Sequence, residues 1–475
     1  MGDLSTLDMA VLACYLAGIT AWGAWLGRGY STGSDYFLGS RNLPWAAVLL
    51  SVVATETSTL TFLSIPGVAY SGSLVFLQVA AGYCAGRIAV ALLFLPAYFR
   101  GELTTAYGLL EARFGAGTRR FASATFMATR LMADSVRLFA TAIPLALITG
   151  WPYPASIVAI GVLTMVYTYF GGLRAVVWVD SVQMLLYLFG AAVALAVIGG
   201  SVPGGWSEVL GSAAVAGKLQ VLDLSWDLGT SYTLWAGLIG GCVFSMASHG
   251  ADQLIVQRLL ACRSVRDSQA ALVGSGLAVA AQFLVFLLVG IGLWAFYAGQ
   301  TFERPDEIFA RFIVSELPRG IRGLLIAGVF AAAMSSLSSS INSLASSSAY
   351  DFWAPLAGWD QDDRRLLRAG RVFTLGWSLL LVAGAVAFIP LSRGTSAVEV
   401  ALGIAAVVYG GLLGAFALGV STALPGQRAA VLGIAAGVAA VASLQGSVSW
   451  LWYVPIGSVV TFGTGCVLGF AKKRA

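Results

Sequence analysis

The sequence has little charge and a single histidine. Charged residues are 10% of the 475 residues, hydrophobic residues are 58%, and the mean hydropathy is +0.85. Soluble domains carry about 25% charged residues, so the composition excludes a sizeable soluble domain. The five cysteines are scattered without CxxC or other metal-ligand spacing, and we expect them to be apolar packing residues. His249 lacks an HxxxxD, HExxH or GxSxG context, so an enzyme is not expected.

Long apolar runs take the place of charge, and each is about 20 residues or more, the length of a helix that crosses a bilayer. Thirteen such runs lie at residues 7–27, 44–71, 72–99, 120–149, 153–170, 176–200, 230–258, 270–298, 322–350, 369–389, 396–420, 428–446 and 449–471. We therefore predict an all-α integral membrane protein with about 13 transmembrane helices. The first run lacks a basic start and a clear cleavage site, so we interpret it as a helix rather than a signal peptide.

Basic residues are distributed unevenly between the two sides of the predicted membrane. With an external N-terminus, the cytoplasmic segments hold 18 of the 27 Lys and Arg residues, Arg258 among them, and the external segments hold six. An excess of Lys and Arg marks the cytoplasmic side. The prediction is a multi-pass protein of the plasma membrane, the inner membrane if the source is bacterial, with its C-terminus in the cytoplasm.

Two of the runs contain polar and helix-breaking residues at membrane depth. The run 44–71 has six hydroxyl side chains within residues 55–64, Glu56 and a predicted break at Pro66 and Gly67. The run 230–258 has Gly240, Gly241, Gly250, His249 and Asp252. Irregular backbone at this depth is tolerated where it lines a cavity, and two interrupted spans in corresponding halves indicate a transporter binding site. Residues 44–200 and 230–420 are then two five-helix repeats, with extra segments at 1–43 and 421–475 and an external loop at 201–229.

A serine-dense segment at residues 331–343 is the strongest signal for a bound cation. Ser335, Ser338 and Ser339 share one helix face because they are spaced i, i+3, i+4, and Ser336 lies beside that face. Clustered oxygens suit a hard cation such as Na⁺, although small residues and hydroxyls also favour helix packing. Asp180, in another span, supplies an anionic ligand or pairs with Arg174. Together these residues predict ion-coupled transport.

Several other ionisable residues fall within spans, where each is costly and therefore a candidate for function or pairing. Glu56 and His249 lie in the two interrupted runs, where they hold substrate hydroxyls, relay a proton or form a buried pair. Arg130 and Asp134 are spaced i, i+4 and neutralise each other. Arg137 is then left to bind a substrate carboxylate or to pair with Glu56 or another acid.

Four segments resemble the sodium–solute symporter family, which includes sodium–glucose, proline, pantothenate and sialic acid carriers. They are residues 54–67, 170–183, 252–261 and 331–343, with weaker support from 111–115 and 408–414. The resemblance implies a LeuT-like fold of inverted five-helix repeats with broken first and sixth core helices. It also implies Na⁺-driven uptake of a small polar organic solute, such as a sugar, sugar acid, polyol, carboxylate or amino acid. The alternatives are a proton-coupled carrier of the same fold, with Glu56 or Asp180 as the proton site, and a transport-like sensor.

The same resemblance implies site residues. The first Na⁺ site would use Ala54, Thr57, Ala332, Ser335 and Ser336, and the second would use Asp180, Ser335, Ser338 and Ser339. The substrate-binding candidates are Glu56, Ser58, Thr61, Gln78, Arg130, Arg137, Ser248, His249, Asp252 and Tyr409. Sugar carriers have Glu-Gln where this chain has Leu60 and Thr61, which argues against a glucose-type carrier. The expected partners are the solute, Na⁺ and the lipid bilayer, with no nucleic acid and no obligate protein partner.

Overall fold

The computed structural model describes residues 4–101, 103–302, 305–359, 364–392, 397–422 and 425–474. Within these ranges the regular structure is helical, and β-pairing is limited to an isolated bridge between Leu43 and Cys262. The α-helices are α1 Thr6–Leu26, α2 Gly33–Leu38, α3 Trp45–Glu56, α4 Thr59–Ser71, α5 Leu77–Leu93, α6 Leu95–Arg100, α7 Gly108–Phe114, α8 Ala116–Thr149, α9 Tyr153–Ser201, α10 Gly205–Val215, α11 Gly241–Gly250, α12 Gln253–Leu260, α13 Val265–Phe296, α14 Asp306–Ser315, α15 Ile321–Ser347, α16 Ala354–Ala357, α17 Arg364–Phe388, α18 Ala397–Ser421, α19 Gln427–Ser443 and α20 Tyr453–Arg474. Two π-helical segments, Ala236–Gly240 and Ser348–Trp353, flank α11 and α15.

Many of these helices are long and apolar enough to cross a membrane. Among the described residues eight helical segments qualify, α5 and α15 being counted with the helices that continue them, and α3 with the following α4 segment makes a ninth as a pair bent by 61°. The 49-residue α9 contains two of the predicted spans, joined at a sharp turn at Gly172. Gly172 has φ +51°, and a Cβ there would lie 2.5 Å from the carbonyl oxygen of Tyr36, so glycine is required. The all-helical membrane class is confirmed, while the count of 13 stays a prediction.

The two predicted broken helices are both interrupted, but the first is broken at a different place. Helix α3 ends at Glu56 and α4 begins at Thr59, whereas the predicted break at Pro66 and Gly67 lies inside α4. That prediction was wrong because Gly67 serves close packing: a Cβ there would lie 2.6 Å from the carbonyl oxygen of Pro305. The second interruption separates α11 from α12 at Ala251 and Asp252, within the predicted segment.

Helix α15, which carries the serines, lies at the centre of the molecule. Every residue from Leu325 to Ser347 is buried, and the helix packs against α1, α3, α8, α9, α12 and α17. A hydroxyl-rich helix facing lipid would leave its polar groups without partners. Its central position means that the serines face other helices, including both members of the first broken pair.

Candidate functional site

The break between α3 and α4 exposes backbone carbonyl groups beside α15. Thr57 has φ −81° and ψ 87°, so it leaves the helix, and Ser58 caps α4 with its hydroxyl. The Ser58 N–H donates to the carbonyl of Glu56 at 3.1 Å, two residues back, rather than to Ala54 four residues back as in a helix. The break therefore directs the C-terminal carbonyls of α3, where the helix dipole is negative, into the protein interior.

Side chains attach this break directly to α15. The Thr55 hydroxyl lies 3.0 Å from the Ser339 hydroxyl, and the Thr59 hydroxyl donates to the carbonyl of Val329 at 3.1 Å. The Oγ atoms of Ser335 and Ser336 are buried and have no hydrogen-bond partner among the described residues. Unpaired buried hydroxyls are costly unless a ligand satisfies them, so these oxygens fit a dehydrated cation.

Asp180 is fully buried, and its two carboxylate oxygens differ in their hydrogen-bond partners. Oδ2 accepts from the Ser51 hydroxyl at 2.7 Å and from the Arg258 guanidinium at 3.3 Å. Oδ1 has no partner within the described part of the chain, and Ser335 lies beside this carboxylate without hydrogen-bond geometry. Asp180 therefore pairs with Arg258 rather than with Arg174, which is exposed.

Arg258, predicted from the sequence to lie in a cytoplasmic segment, lies inside the protein on α12. It is completely buried because α12 continues through Leu260 and packs its last turn against α3 and α15. The guanidinium donates to Ser51 at 2.9 Å, to the carbonyl of Leu254 at 2.6 Å and to Ser339. Two residues of the predicted second Na⁺ site, Asp180 and Ser339, thus contact a cation that belongs to the chain.

A narrow cavity opens beside the unpaired serines. It is lined by Ser58, Asp134, Arg137, Leu138, Thr141, Ala333, Ser336, Leu337 and Ser340. Arg137 donates to Asp134 at 3.1 Å, and the Ser340 hydroxyl donates to the other oxygen of Asp134 at 2.5 Å. The side chain of Arg137 is 20% exposed. The cavity therefore presents the Arg137–Asp134 ion pair, hydroxyl groups and an apolar wall next to Ser336.

Arg130 lies in a different polar cluster that leaves it little freedom. Its guanidinium donates to Asp252, to the Tyr409 hydroxyl at 2.5 Å and to Asp134 at 3.4 Å, and its side chain is 6% exposed. Tyr409 also donates to Asp252 at 2.6 Å, while Asp252 caps α12. These contacts join α8, α12 and α18, so the three residues form a satisfied structural cluster. Between the two arginines, Arg137 is the one that lines the cavity.

The remaining predicted substrate-binding residues fall elsewhere. Glu56 pairs with Arg87, and His249 Nε2 lies 3.7 Å from the Glu56 carboxylate. Ser248 contacts His249 Nδ1 at 2.8 Å, and the backbone of Thr61 faces the Ser58 hydroxyl at 3.5 Å. Gln78 bonds the backbone of Tyr232 and Asp223 in the loop before α11. Glu56, Gln78, Ser248, His249 and Thr61 are thus absent from the described residues that line the cavity.

Sequence reasoning missed Ser340 and the partners Arg87 and Arg258. Ser340 belongs to the serine-dense segment, and its spacing of four residues from Ser336 places both on one face. Arg87 lies within the predicted span 72–99, but nothing in the sequence indicates that it meets Glu56. The partner of each arginine depends on how distant helices pack.

Comparison with known proteins identifies the class of molecule. The family model for the sodium:solute symporter family matches residues 36–424. The sodium/sialic acid symporter SiaT of Proteus mirabilis is 31% identical over 99% of this chain and 97% of its own length. The human sodium/iodide cotransporter is 29% identical over 91% of this chain and 68% of its own length. A solved Na⁺-coupled sialic acid symporter, described as outward-open and substrate-bound with a novel Na⁺ site, has 29% identity, covers 98% of both chains and gives a TM-score of 0.90.

These similarities extend over the helices that build the site. The fold is LeuT-like, as the sequence resemblance implied. The protein is a Na⁺-coupled transporter that spans the membrane and is not an enzyme. The chain belongs to the sodium:solute symporter family.

Proposed function

We propose that this symporter couples the inward flow of two Na⁺ ions to the uptake of a small polar organic solute that carries a carboxylate. The observation that carries the proposal is the set of buried oxygens without partners, Ser335 Oγ, Ser336 Oγ and Asp180 Oδ1, next to the broken α3–α4 helix. The first ion would bind the carbonyls of Ala54, Thr57 and Ala332 together with the two hydroxyls. The second would bind Asp180 with Ser335, Ser338 and Ser339.

The cavity supports a carboxylate-bearing solute. Arg137, paired with Asp134, is its only cationic wall residue among those described, and Ser58, Thr141 and Ser340 add hydroxyl groups. A guanidinium recognises a carboxylate through paired N–H donors. Among the relatives, the sialic acid symporter SiaT transports a solute of this description by name.

The proposed first Na⁺ site and the cavity adjoin each other, which would couple Na⁺ binding to solute binding. Ser336 belongs to the proposed first Na⁺ site and also lines the cavity, and Ser58 lines the cavity one residue after Thr57. Na⁺ that fixes the break against α15 would preorganise the cavity, so ion and solute favour each other's binding. Each Na⁺ that moves inward contributes about 2.3 kcal/mol per 100 mV, so a second ion doubles the electrical part of the driving force.

The proposal includes an orientation and a division into repeats. The chain would lie in the plasma membrane with its N-terminus outside and its C-terminus in the cytoplasm, as the basic residues indicate. The first repeat would run through residues 44–200 and the second through 230–420. The broken pairs α3–α4 and α11–α12 then occupy corresponding positions in the two repeats.

The ion-binding part is tested by the melting temperature of purified protein in Na⁺ or in choline at equal ionic strength, with a panel of polar solutes. Sialic acid, smaller sugar acids and uncharged sugars form the panel. We expect Na⁺ to stabilise the protein, and carboxylated solutes to add stabilisation only in Na⁺. Ser336→Ala should lose nearly all Na⁺-driven uptake. Stabilisation by solutes regardless of Na⁺, or near-normal transport by Ser336→Ala, would contradict the proposal.

The carboxylate is tested at Arg137. Arg137→Gln should raise the half-saturating concentration of a carboxylated solute by about tenfold or more, since one good charge-assisted contact contributes about 1.5–3 kcal/mol. Its melting response to Na⁺ alone should persist. Arg311→Gln, on the exposed surface of α14, is the matched control and should leave the half-saturation unchanged. If Arg137→Gln raises the half-saturating concentration of the acid and of its neutral amide analogue equally, Arg137 does not contact a carboxylate.

A further inference from the structure

A second polar cluster lies on the other side of the α3–α4 break, away from the cavity. Glu56, the last residue of α3, forms an ion pair with Arg87 of α5. Arg87 is fully buried and also donates to the Ser275 hydroxyl of α13 at 2.9 Å. His249 of α11 lies 3.7 Å from the same carboxylate. Helices α5 and α11 thus meet α3 at its last side chain, and Arg87 links the cluster to α13.

The helices that carry these partners are packed too tightly to adjust. A Cβ on Gly86 would lie 2.3 Å from the carbonyl oxygen of Cys242, so α5 and α11 touch through their backbones. A Cβ on Gly276 would lie 3.2 Å from Cδ of Arg87, so the arginine stem rests directly on α13. Arg87 is therefore presented to Glu56 from a rigid surface.

The next residue is held from the same side. The Thr57 hydroxyl accepts from Gln282 of α13 at 2.6 Å. Glu56 and Thr57 are thus tied by their side chains to α5 and α13, while Thr55 and Thr59, on either side of them, are tied to α15. Side-chain contacts on both sides fix the non-helical backbone between residues 56 and 58.

The charge on Glu56 needs this arrangement. A carboxylate at the C-terminal end of a helix is opposed by the negative end of the helix dipole, and a buried charge without a partner is strongly unfavourable. Arg87 compensates both effects. The ion pair can persist only while the end of α3 stays close to α5, so the pair fixes the position at which the helix stops.

We propose that Glu56 and Arg87 are positioning residues for Na⁺: their ion pair holds the α3–α4 break so that the carbonyls of Ala54 and Thr57 face α15. The inference rests on the proposed first Na⁺ site and adds a pair outside its ligands. It gives Glu56 a role in Na⁺ binding rather than in solute binding. Loosening the pair should weaken Na⁺ binding, whereas solute binding at saturating Na⁺ should change little.

The test measures Na⁺-dependent melting and uptake for wild type, Glu56→Gln, Arg87→Lys and the matched control Glu307→Gln on α14. We expect Glu56→Gln to raise the half-saturating Na⁺ concentration roughly fivefold or more, within the usual range of coupling between sites. Arg87→Lys keeps the charge but loses the forked contact to Glu56 and Ser275, so we expect a smaller shift in the same direction. In both variants the solute half-saturation at saturating Na⁺ should stay within about twofold of wild type, since no cavity contact is lost. Glu307→Gln should match wild type.

The possible outcomes distinguish the positioning role of the Glu56–Arg87 ion pair from the proposed Na⁺ site itself. An unchanged half-saturating Na⁺ concentration in Glu56→Gln and Arg87→Lys, while Ser336→Ala loses its Na⁺ response, would overturn the positioning role and leave the proposed function intact. A larger effect on the solute than on Na⁺ would return Glu56 to the substrate site and also overturn it. If Glu56→Gln does not fold, Arg87→Lys decides alone. A wild-type protein that shows no response to Na⁺ would instead refute the proposed function.

Discussion

Asp180 and Arg258 form a buried ion pair. We predict that substitutions of the two residues change Na⁺ binding in opposite directions. Both side chains are fully buried, and their charged atoms lie 3.3 Å apart. At an effective dielectric constant of about 20 their attraction is about 5 kcal/mol, before the cost of desolvation. The guanidinium also contacts Ser339, so it stands where the second Na⁺ would find its ligands.

Replacing either member should destabilise the protein without Na⁺, by about 3–5 kcal/mol, because the other charge is left buried and unpaired. The response to Na⁺ should then differ. In Arg258→Gln the carboxylate is free to take Na⁺ as its counter-ion, and an apparent affinity about tenfold tighter corresponds to about 1.4 kcal/mol. In Asp180→Asn the ligand is lost while Arg258 stays charged, so the Na⁺ response should shrink.

The assay is the shift in melting temperature between choline and Na⁺ at constant ionic strength, without solute. Arg258→Gln should give a larger shift than wild type, and Asp180→Asn a smaller one. Arg174→Gln removes an exposed arginine from the same long helix as Asp180 and should leave the shift unchanged. If both variants of the pair move the shift in the same direction, the pair is purely structural and the reasoning is refuted.

Two further predictions concern the serine face and the N-terminal cap of α2. Ser338→Ala with Ser339→Ala should lower the Hill coefficient for Na⁺ in uptake from near two to near one, and unchanged cooperativity would remove the second ion. Burial alone would raise the pKa of Asp35, but hydrogen bonds from Ser40, from the Ser31 backbone and from Thr32 lower it to about 2. Because the folded pKa lies below the ordinary 3.8, its stabilisation is complete above pH 4 and is lost as the pH falls towards 2. Asp35→Asn should therefore melt lower at pH 7, by the equivalent of about 1 kcal/mol for a partly exposed cap, and the difference from wild type should vanish near pH 2.

Local chemistry explains what the sequence could predict. Hydroxyl spacing placed the serines on one buried face, and the resemblance implied the LeuT-like fold and its broken helices. The position of the first break could not be read from Pro66, because a proline within a membrane helix can be accommodated by neighbouring helices. The break lies at Thr57, whose side chain is held by Gln282, 225 residues away.

The sequence also does not predict which charged residues of different helices form ion pairs. Asp180 has an arginine six residues before it and another 78 residues after it, and only the packing of α12 selects Arg258. Arg137 and Arg130 are likewise one heptad apart on α8 and differ in sequence context by little. The contact with Asp252 and Tyr409 removes Arg130 from the cavity, and no local pattern contains that information.

The same packing joins α12 to α15 through a row of buried polar contacts. Three buried side chains of α12 form hydrogen bonds with α15, and the two helices run antiparallel along this row. Gln253 bonds Ser346 at 3.4 Å, Gln257 bonds Asn342 at 2.7 Å, and Arg258 bonds Ser339. Leaving one such buried polar group unpaired costs about 1–3 kcal/mol, and more for a charged one, so partial separation of the two helices is unfavourable. The last polar contacts of the series are those of Arg258 with Ser339 and Asp180. In the proposed second Na⁺ site, Arg258 would therefore compete with the ion for these two side chains.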